Sequence, residues 1–175
     1  MDDLQINALR RTLGQLYIRL GASQVKQAIS DFTSTEGTFQ QFTDALLKVF
    51  NTPISQLDSN YYFTSWDNWQ KIIAVINPIL QNFPWESDRF DCDKRSMLVI
   101  GLVALLFDIN TVRPFYCEVH DATTGALKYL HYANIIVDDA GNCYLWDVDY
   151  GGLFQKITSS PVIMGINKYI PLGIR

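Results

Sequence analysis

From Met97 to Phe107 every residue but Gly101 is apolar, and directly ahead of this run stands the polar segment Phe90-Asp91-Cys92-Asp93-Lys94-Arg95-Ser96. A stretch that long and that apolar has to be buried, and its length suits a helix better than a strand, so it is expected to be a helix covered on most of its sides. Cys92 then lies in the first turn. There the unpaired N–H groups and the helix macrodipole favour an anion, and the thiolate is the form of cysteine that attacks carbonyls. The plain alternative is a small buried residue that happens to sit beside a helix cap.

Downstream, Leu130 to Val137 and Cys143 to Tyr150 are rich in β-branched and aromatic residues and flank Asp138-Asp139-Ala140-Gly141. That pattern predicts a β-hairpin. A loop of odd length, such as Asp139, Ala140 and Gly141 with Gly141 left-handed, would put His131 opposite Asp149. Asp147 would then lie diagonally on the same face, about 5 to 8 Å away. A carboxylate can then orient the imidazole. An even loop would turn His131 away from both aspartates.

Cysteine at a helix start, histidine on a strand and a carboxylate on the next strand, in that order, resemble the transglutaminase-like branch of the papain-like cysteine peptidase superfamily. The likeness is to bacterial and phage-type domains with an Asp-Cys-Asp-x nucleophile motif, here Asp91-Cys92-Asp93-Lys94. It covers roughly Trp85 to Tyr150. The resemblance implies an α+β fold with a papain-like core, in which a helix carrying Cys at its N-terminus packs on a small antiparallel sheet. It also implies roles: Cys92 as nucleophile, His131 as general base and acid, and Asp147 as the residue that holds His131. Pairing alone leaves Asp149 equally eligible. In such domains the approach loop often lines the cleft, making Asn82 and Trp85 candidates for oxyanion or substrate contacts beside the backbone N–H of Cys92. The implied activity is hydrolysis or acyl transfer at amide bonds of a protein or peptide substrate, through a thioacyl intermediate and without a cofactor.

At 175 residues the chain is expected to form one domain with a real core. A formal net charge of −4 argues against non-specific nucleic-acid binding, which needs a basic face. No apolar run reaches the ~18 residues of a membrane span. The acidic start Met1-Asp2-Asp3-Leu4 is unlike a secretory signal, and three cysteines form neither a disulfide framework nor a zinc spacing, so a reducing, cytoplasmic setting is expected.

Three helical stripes open the chain: Ile6 to Leu20, Val25 to Phe32, and Phe39 to Phe50 after Gly37. They predict a helical N-terminal subdomain over 1–62, with 63–175 as the catalytic core and 51–62 as the linker. Ser65 caps a further helix that carries Trp66 and Trp69, a substrate wall or simple packing, and that breaks near Pro78. Val112 to Val119 reads as a third strand. It puts Cys117 and His120 on opposite faces, a poor dyad. The tail from Gly151 lacks a period and is expected to hold a strand near Pro161 to Met164 or to be an extended arm that packs on the body or a partner. Asp91, Asp93, Asp147 and Asp149 would attract calcium if loops gathered them.

Two other functions share these residues. One is an inert transglutaminase-like fold used as an interaction or phage structural protein, to which the helical front and the arm would lend a partner surface. The other is a metal-dependent glycosyltransferase using Asp147-Val148-Asp149 as an Asp-x-Asp motif, although the alternating α/β region such enzymes need is missing.

Overall fold

Thr38 closes a capping box: its hydroxyl accepts the N–H of Gln41 at 3.2 Å while the Gln41 side chain accepts the N–H of Thr38 at 2.7 Å. This starts helix α1, Phe39–Leu47, whose stripe of Phe42, Ala45 and Leu46 is buried. The computed structural model describes residues 32–50, 56, 58–83, 86–87 and 91–174. The two helices expected before residue 32 lie outside them. The chain divides into two compact units, Met1–Phe32 and Thr33–Arg175. Much of the helical 1–62 subdomain that the sequence suggests lies outside the described residues. Strands β1 (Thr35–Thr38) and β2 (Asn60–Phe63) pair antiparallel on either side of α1, so the region after residue 32 is not purely helical. Tyr61 and Phe63 point inward from β2 and join the core of the second unit.

Ser65 caps α2 (Trp66–Gln81) as expected, accepting the N–H of Asn68 at 3.3 Å. The helix passes through Pro78 instead of breaking there. Proline removes one intrahelical hydrogen bond, and buried Ile76, Ile79 and Leu80 hold the last turn against the body. Helix α3 (Cys92–Phe107) follows. It is buried along one stripe, Arg95, Val99, Leu102, Val103 and Phe107, while Met97 is 57% and Leu105 61% exposed, so it is less enclosed than its apolar run implies. Asp108 ends it in the left-handed conformation at φ 54°. Among the described residues no helix is long and apolar enough to cross a membrane.

The remaining strands are β3 (Val112–Asp121), β4 (Leu127–Val137), β5 (Cys143–Asp147), β6 (Leu153–Ile157), β7 (Val162–Met164) and β8 (Asn167–Ile174). They form one antiparallel sheet in the order β6-β5-β4-β3-β8-β7. The side chain of Gln155 on β6 donates to the carbonyl of Ile163 on β7 at 2.8 Å. The sheet therefore curls until its two edge strands meet. Odd-numbered Phe115, Ala133, Ile135 and Leu145 fill the inside together with Phe42, Tyr61 and Tyr169. Even-numbered residues face α2 and α3. Asn134 donates to the carbonyl of Ser96 at 3.1 Å, Trp146 Nε1 to Asn77 at 3.1 Å, and Tyr144 stacks on Trp66 with centroids 3.8 Å apart. Trp69 is fully buried. Both tryptophans of α2 are thus packing residues and not a substrate wall. Of the two expectations for the tail the strand is found, as β7, and the arm is not: the tail supplies three strands, with β8 inserted between β3 and β7.

Candidate functional site

The β4–β5 hairpin has the odd register. Asn134 pairs with Trp146 and Val137 with Cys143, the loop closes through the Asp138 N–H to the Asn142 carbonyl at 3.0 Å, and Gly141 takes φ 72°. Asp138 staples the loop, accepting from the Asn142 N–H at 2.7 Å and from the Tyr144 hydroxyl at 2.9 Å. His131 and Asp147 consequently share one face at the end of the curled sheet. His131 Nε2 lies 3.1 Å from Asp147 Oδ1.

Strand β5 stops at Asp147, shorter than the sequence suggests, so Asp149 is not paired across from His131. The physical reason is the Asp147 carboxylate itself: Oδ1 also accepts the N–H groups of Asp149 at 3.0 Å and Tyr150 at 3.1 Å, which folds the chain into a turn. Oδ2 accepts the Tyr169 hydroxyl at 2.8 Å. After the turn, Gly152 sits at φ 69° and its carbonyl accepts from Asn77 at 3.1 Å, an approach so close that a Cβ there would stand 2.4 Å from the Asn77 amide. The turn that carries Asp149 and Tyr150 is thereby tied to α2.

Cys92 is the first residue of α3, half-buried, and its sulfur, a ring nitrogen of His131 and a carboxylate oxygen of Asp149 lie within 4.8 Å of one another. Because Nε2 faces Asp147, Nδ1 is the ring nitrogen left for proton exchange with sulfur. The helix is placed by Ser96, whose hydroxyl donates to the Ala133 carbonyl on β4 at 3.0 Å. Residues two positions from His131 and four from Cys92 thus fix the strand against the helix. The three groups open into a cleft of about 540 Å³ whose walls include Leu80, Phe83, Tyr129, Leu130 and Tyr150.

Arg95 is the group that sequence reasoning misses. It is buried, ion-paired through Nε with Asp149 Oδ1, and donates to the carbonyls of Phe83 and, at 3.3 Å, of Leu80. One guanidinium therefore joins the end of α2, the first turn of α3 and the turn after β5. Its signal in the sequence is helical spacing, since Arg95 begins the i, i+4, i+7 stripe continued by Val99 and Leu102. Tyr169 was hidden likewise in the aperiodic tail.

Asn82 does not face the cleft as an oxyanion donor; its amide bonds the Pro78 carbonyl at 2.8 Å, because it caps the end of α2. Trp85 lies outside the described residues. The backbone N–H of Cys92, at the start of a helix with no partner inside it, remains the available donor. The four aspartates proposed for calcium are not gathered: Asp91 and Asp93 pair with Lys94 at 2.8 and 3.3 Å, and Asp147 is fully engaged. Cys117 is buried with its thiol against the His131 carbonyl at 3.6 Å, and burial pushes that thiol far up. Burial likewise pushes the Cys143 thiol up to about 12. His120 bonds Glu118 and the Gly125 carbonyl on the far stretch of β3.

Burial alone would lower the His131 pKa, but the Asp147 and Cys92 side chains beside it prevail and raise it to about 10. For Asp147, burial opposes ionisation, yet His131, Tyr169 and the Tyr150 N–H hold its carboxyl below the ordinary value. Burial holds Asp149 above that value, against the pull of Arg95 and His131. The pair's effect on stability follows from these directions. A raised His131 contributes fully below its unfolded value of 6.5 and loses that contribution as the pH climbs to about 10. Asp147 contributes above 3.8 and loses it only as the pH falls through its lower folded value. Thermal unfolding followed by circular dichroism should therefore show a stability penalty for His131→Ala that is largest at about pH 5 and shrinks steadily from about pH 6.5 to 10. A penalty that grows with pH over that range would contradict the assignment.

No family model matches the chain, and no curated protein matches it.

Proposed function

We propose that this protein is a transglutaminase-like thiol hydrolase or acyltransferase acting on amide bonds of a protein or peptide. The observation that carries the reading is the meeting of Cys92, His131 and Asp147, in that chain order, at one cleft. His131 Nδ1 takes the proton of Cys92, and the sulfur adds to the substrate carbonyl, whose oxygen faces the Cys92 N–H. The tetrahedral adduct collapses as the imidazolium passes its proton to the leaving amine, giving a thioacyl enzyme. Water or an incoming amine, deprotonated by the same imidazole, then displaces the sulfur. Asp147 holds the Nε2 proton in place and compensates the imidazolium charge, as the carboxylate of a catalytic triad does.

The unpaired state of all three cysteines suits a reducing compartment such as the cytoplasm. The glycosyltransferase reading finds no support: both oxygens of Asp147 are occupied by protein donors, and the sheet that carries it is antiparallel throughout. The reading is tested by iodoacetamide labelling of the native protein with the modified site read by mass spectrometry. At about pH 6, where an ordinary thiol is nearly inert, Cys92 should label well ahead of Cys117 and Cys143, and His131→Ala should slow it at least tenfold. Slow labelling of Cys92, indifferent to His131, would favour a binding protein with an inert fold.

A further inference from the structure

The proposed mechanism gives no catalytic task to one half-buried carboxylate beside the nucleophile. Asp147, not Asp149, orients His131, yet Asp149 stands within 4.8 Å of both the Cys92 sulfur and the His131 ring. Its Oδ1 is ion-paired with the guanidinium of Arg95, while Oδ2 accepts no hydrogen bond among the described residues. Sulfur, imidazole nitrogen and carboxylate oxygen converge here on one point at the floor of an open cleft.

We propose that Cys92, His131 and Asp149 form a three-ligand site for a zinc-type divalent ion, and that occupancy reversibly silences the thiol. Bonds of about 2.3 Å to sulfur and about 2.0–2.2 Å to nitrogen and oxygen set tetrahedral ligand separations near 3.5 Å, so the three side chains must close by about 1 Å. The donor set selects the ion. Thiolate and imidazole suit zinc and its soft neighbours, whereas calcium and magnesium take oxygen. The surroundings match as well: Asp147 on His131 Nε2 is the carboxylate–histidine arrangement that orients a metal-bound imidazole. With His131 neutral, the thiolate, Asp147 and Asp149 against Arg95 leave two negative charges, which a divalent ion neutralises. The fourth position opens to the cleft and takes water.

Binding is a simple exchange. The sulfur, Nδ1 and carboxylate lone pairs enter the coordination sphere, and the one proton shared by Cys92 and His131 passes to solvent. No bond is oxidised or reduced. The silencing rests on Cys92 being the nucleophile proposed above; the metal site itself does not.

The test is a titration of the metal-free full chain with Co²⁺ and then Zn²⁺. One equivalent of Co²⁺ should produce a thiolate-to-cobalt charge-transfer band, and Zn²⁺ should displace it and protect Cys92 from iodoacetamide until a chelator is added. Asp149→Asn should weaken Co²⁺ binding by at least the 10–100-fold known for outer-shell partners. Cys92→Ser, which leaves the Arg95 pair intact, should erase the band. Absence of a band, a band that survives Cys92→Ser, or an unchanged Co²⁺ affinity in Asp149→Asn overturns the site. Cys92 labelling in the metal-free protein that is slow and indifferent to His131 would overturn the thiol chemistry alone.

Discussion

Asp147→Asn should lower the rate at which Cys92 is acylated by about 10³–10⁴-fold while leaving the fold in place. The carboxylate is 1% exposed and accepts four donors: His131 Nε2, the N–H groups of Asp149 and Tyr150, and the Tyr169 hydroxyl. Asparagine can keep its oxygen toward the first three and turn its amide to the tyrosine, whose hydroxyl can accept. What it cannot supply is the negative charge that compensates the imidazolium as His131 takes the thiol proton. Circular dichroism and single-turnover acylation by an activated ester separate the two properties. Asp147→Ala is harsher, because it strands buried donors and an uncompensated histidine, and should cost about 3–5 kcal/mol of stability as well. A loss of less than tenfold in Asp147→Asn, with His131 still required, would transfer the orienting role elsewhere.

Arg95→Met should destabilise the protein by about 3–5 kcal/mol in urea unfolding, the usual effect of deleting one member of a buried ion pair. Its side chain is 8% exposed and that of Asp149 15%, so water cannot take over the stranded carboxylate. The carbonyls of Leu80 and Phe83 each lose the guanidinium donor at the same time, Leu80 keeping the N–H of Phe83, which loosens the end of α2 where it borders the cleft. Arg95→Lys should recover little, since a single ammonium cannot reach along the three directions that the planar guanidinium serves. Combining Arg95→Met with Asp149→Leu should restore much of the loss, because the desolvated charge is then gone. A penalty below about 1 kcal/mol for Arg95→Met would mean that the pair is solvated like a surface bridge.

The hairpin and its register were legible because local chemistry decides them. β-branched and aromatic flanks around a loop with Gly141 at positive φ leave one consistent pairing, and with it the shared face of His131 and Asp147. The start of α3 at Cys92 was legible for a similar reason, a polar cap before an apolar run. Three features were not. Strand β5 ends early because a side chain, Asp147, captures the N–H groups that a longer ladder would use, and no propensity encodes that. Strand β8 carries Pro171 and Gly173 and so looks unlike a strand. It is tolerated beside β3 because the register shifts there, between Tyr116 and Cys117, and a bulge admits proline. Strand β2 showed its alternation in Tyr61 and Phe63, but only four residues long and set in a polar stretch, it read as linker. Arg95 was masked by its neighbours: Asp91, Asp93 and Lys94 do form an exposed charged turn, and one member of the run folds inward.

The central claim, that Cys92 performs acyl transfer with His131 and Asp147, is tested most directly by reaction of the protein with p-nitrophenyl acetate under rapid mixing. The account predicts a burst of one nitrophenolate per active chain, an acetyl group on Cys92 by mass spectrometry, slower turnover afterwards, and loss of the burst in His131→Ala and Asp147→Asn. Acetylation spread over lysines and other nucleophiles, with no burst and no dependence on His131, would contradict it.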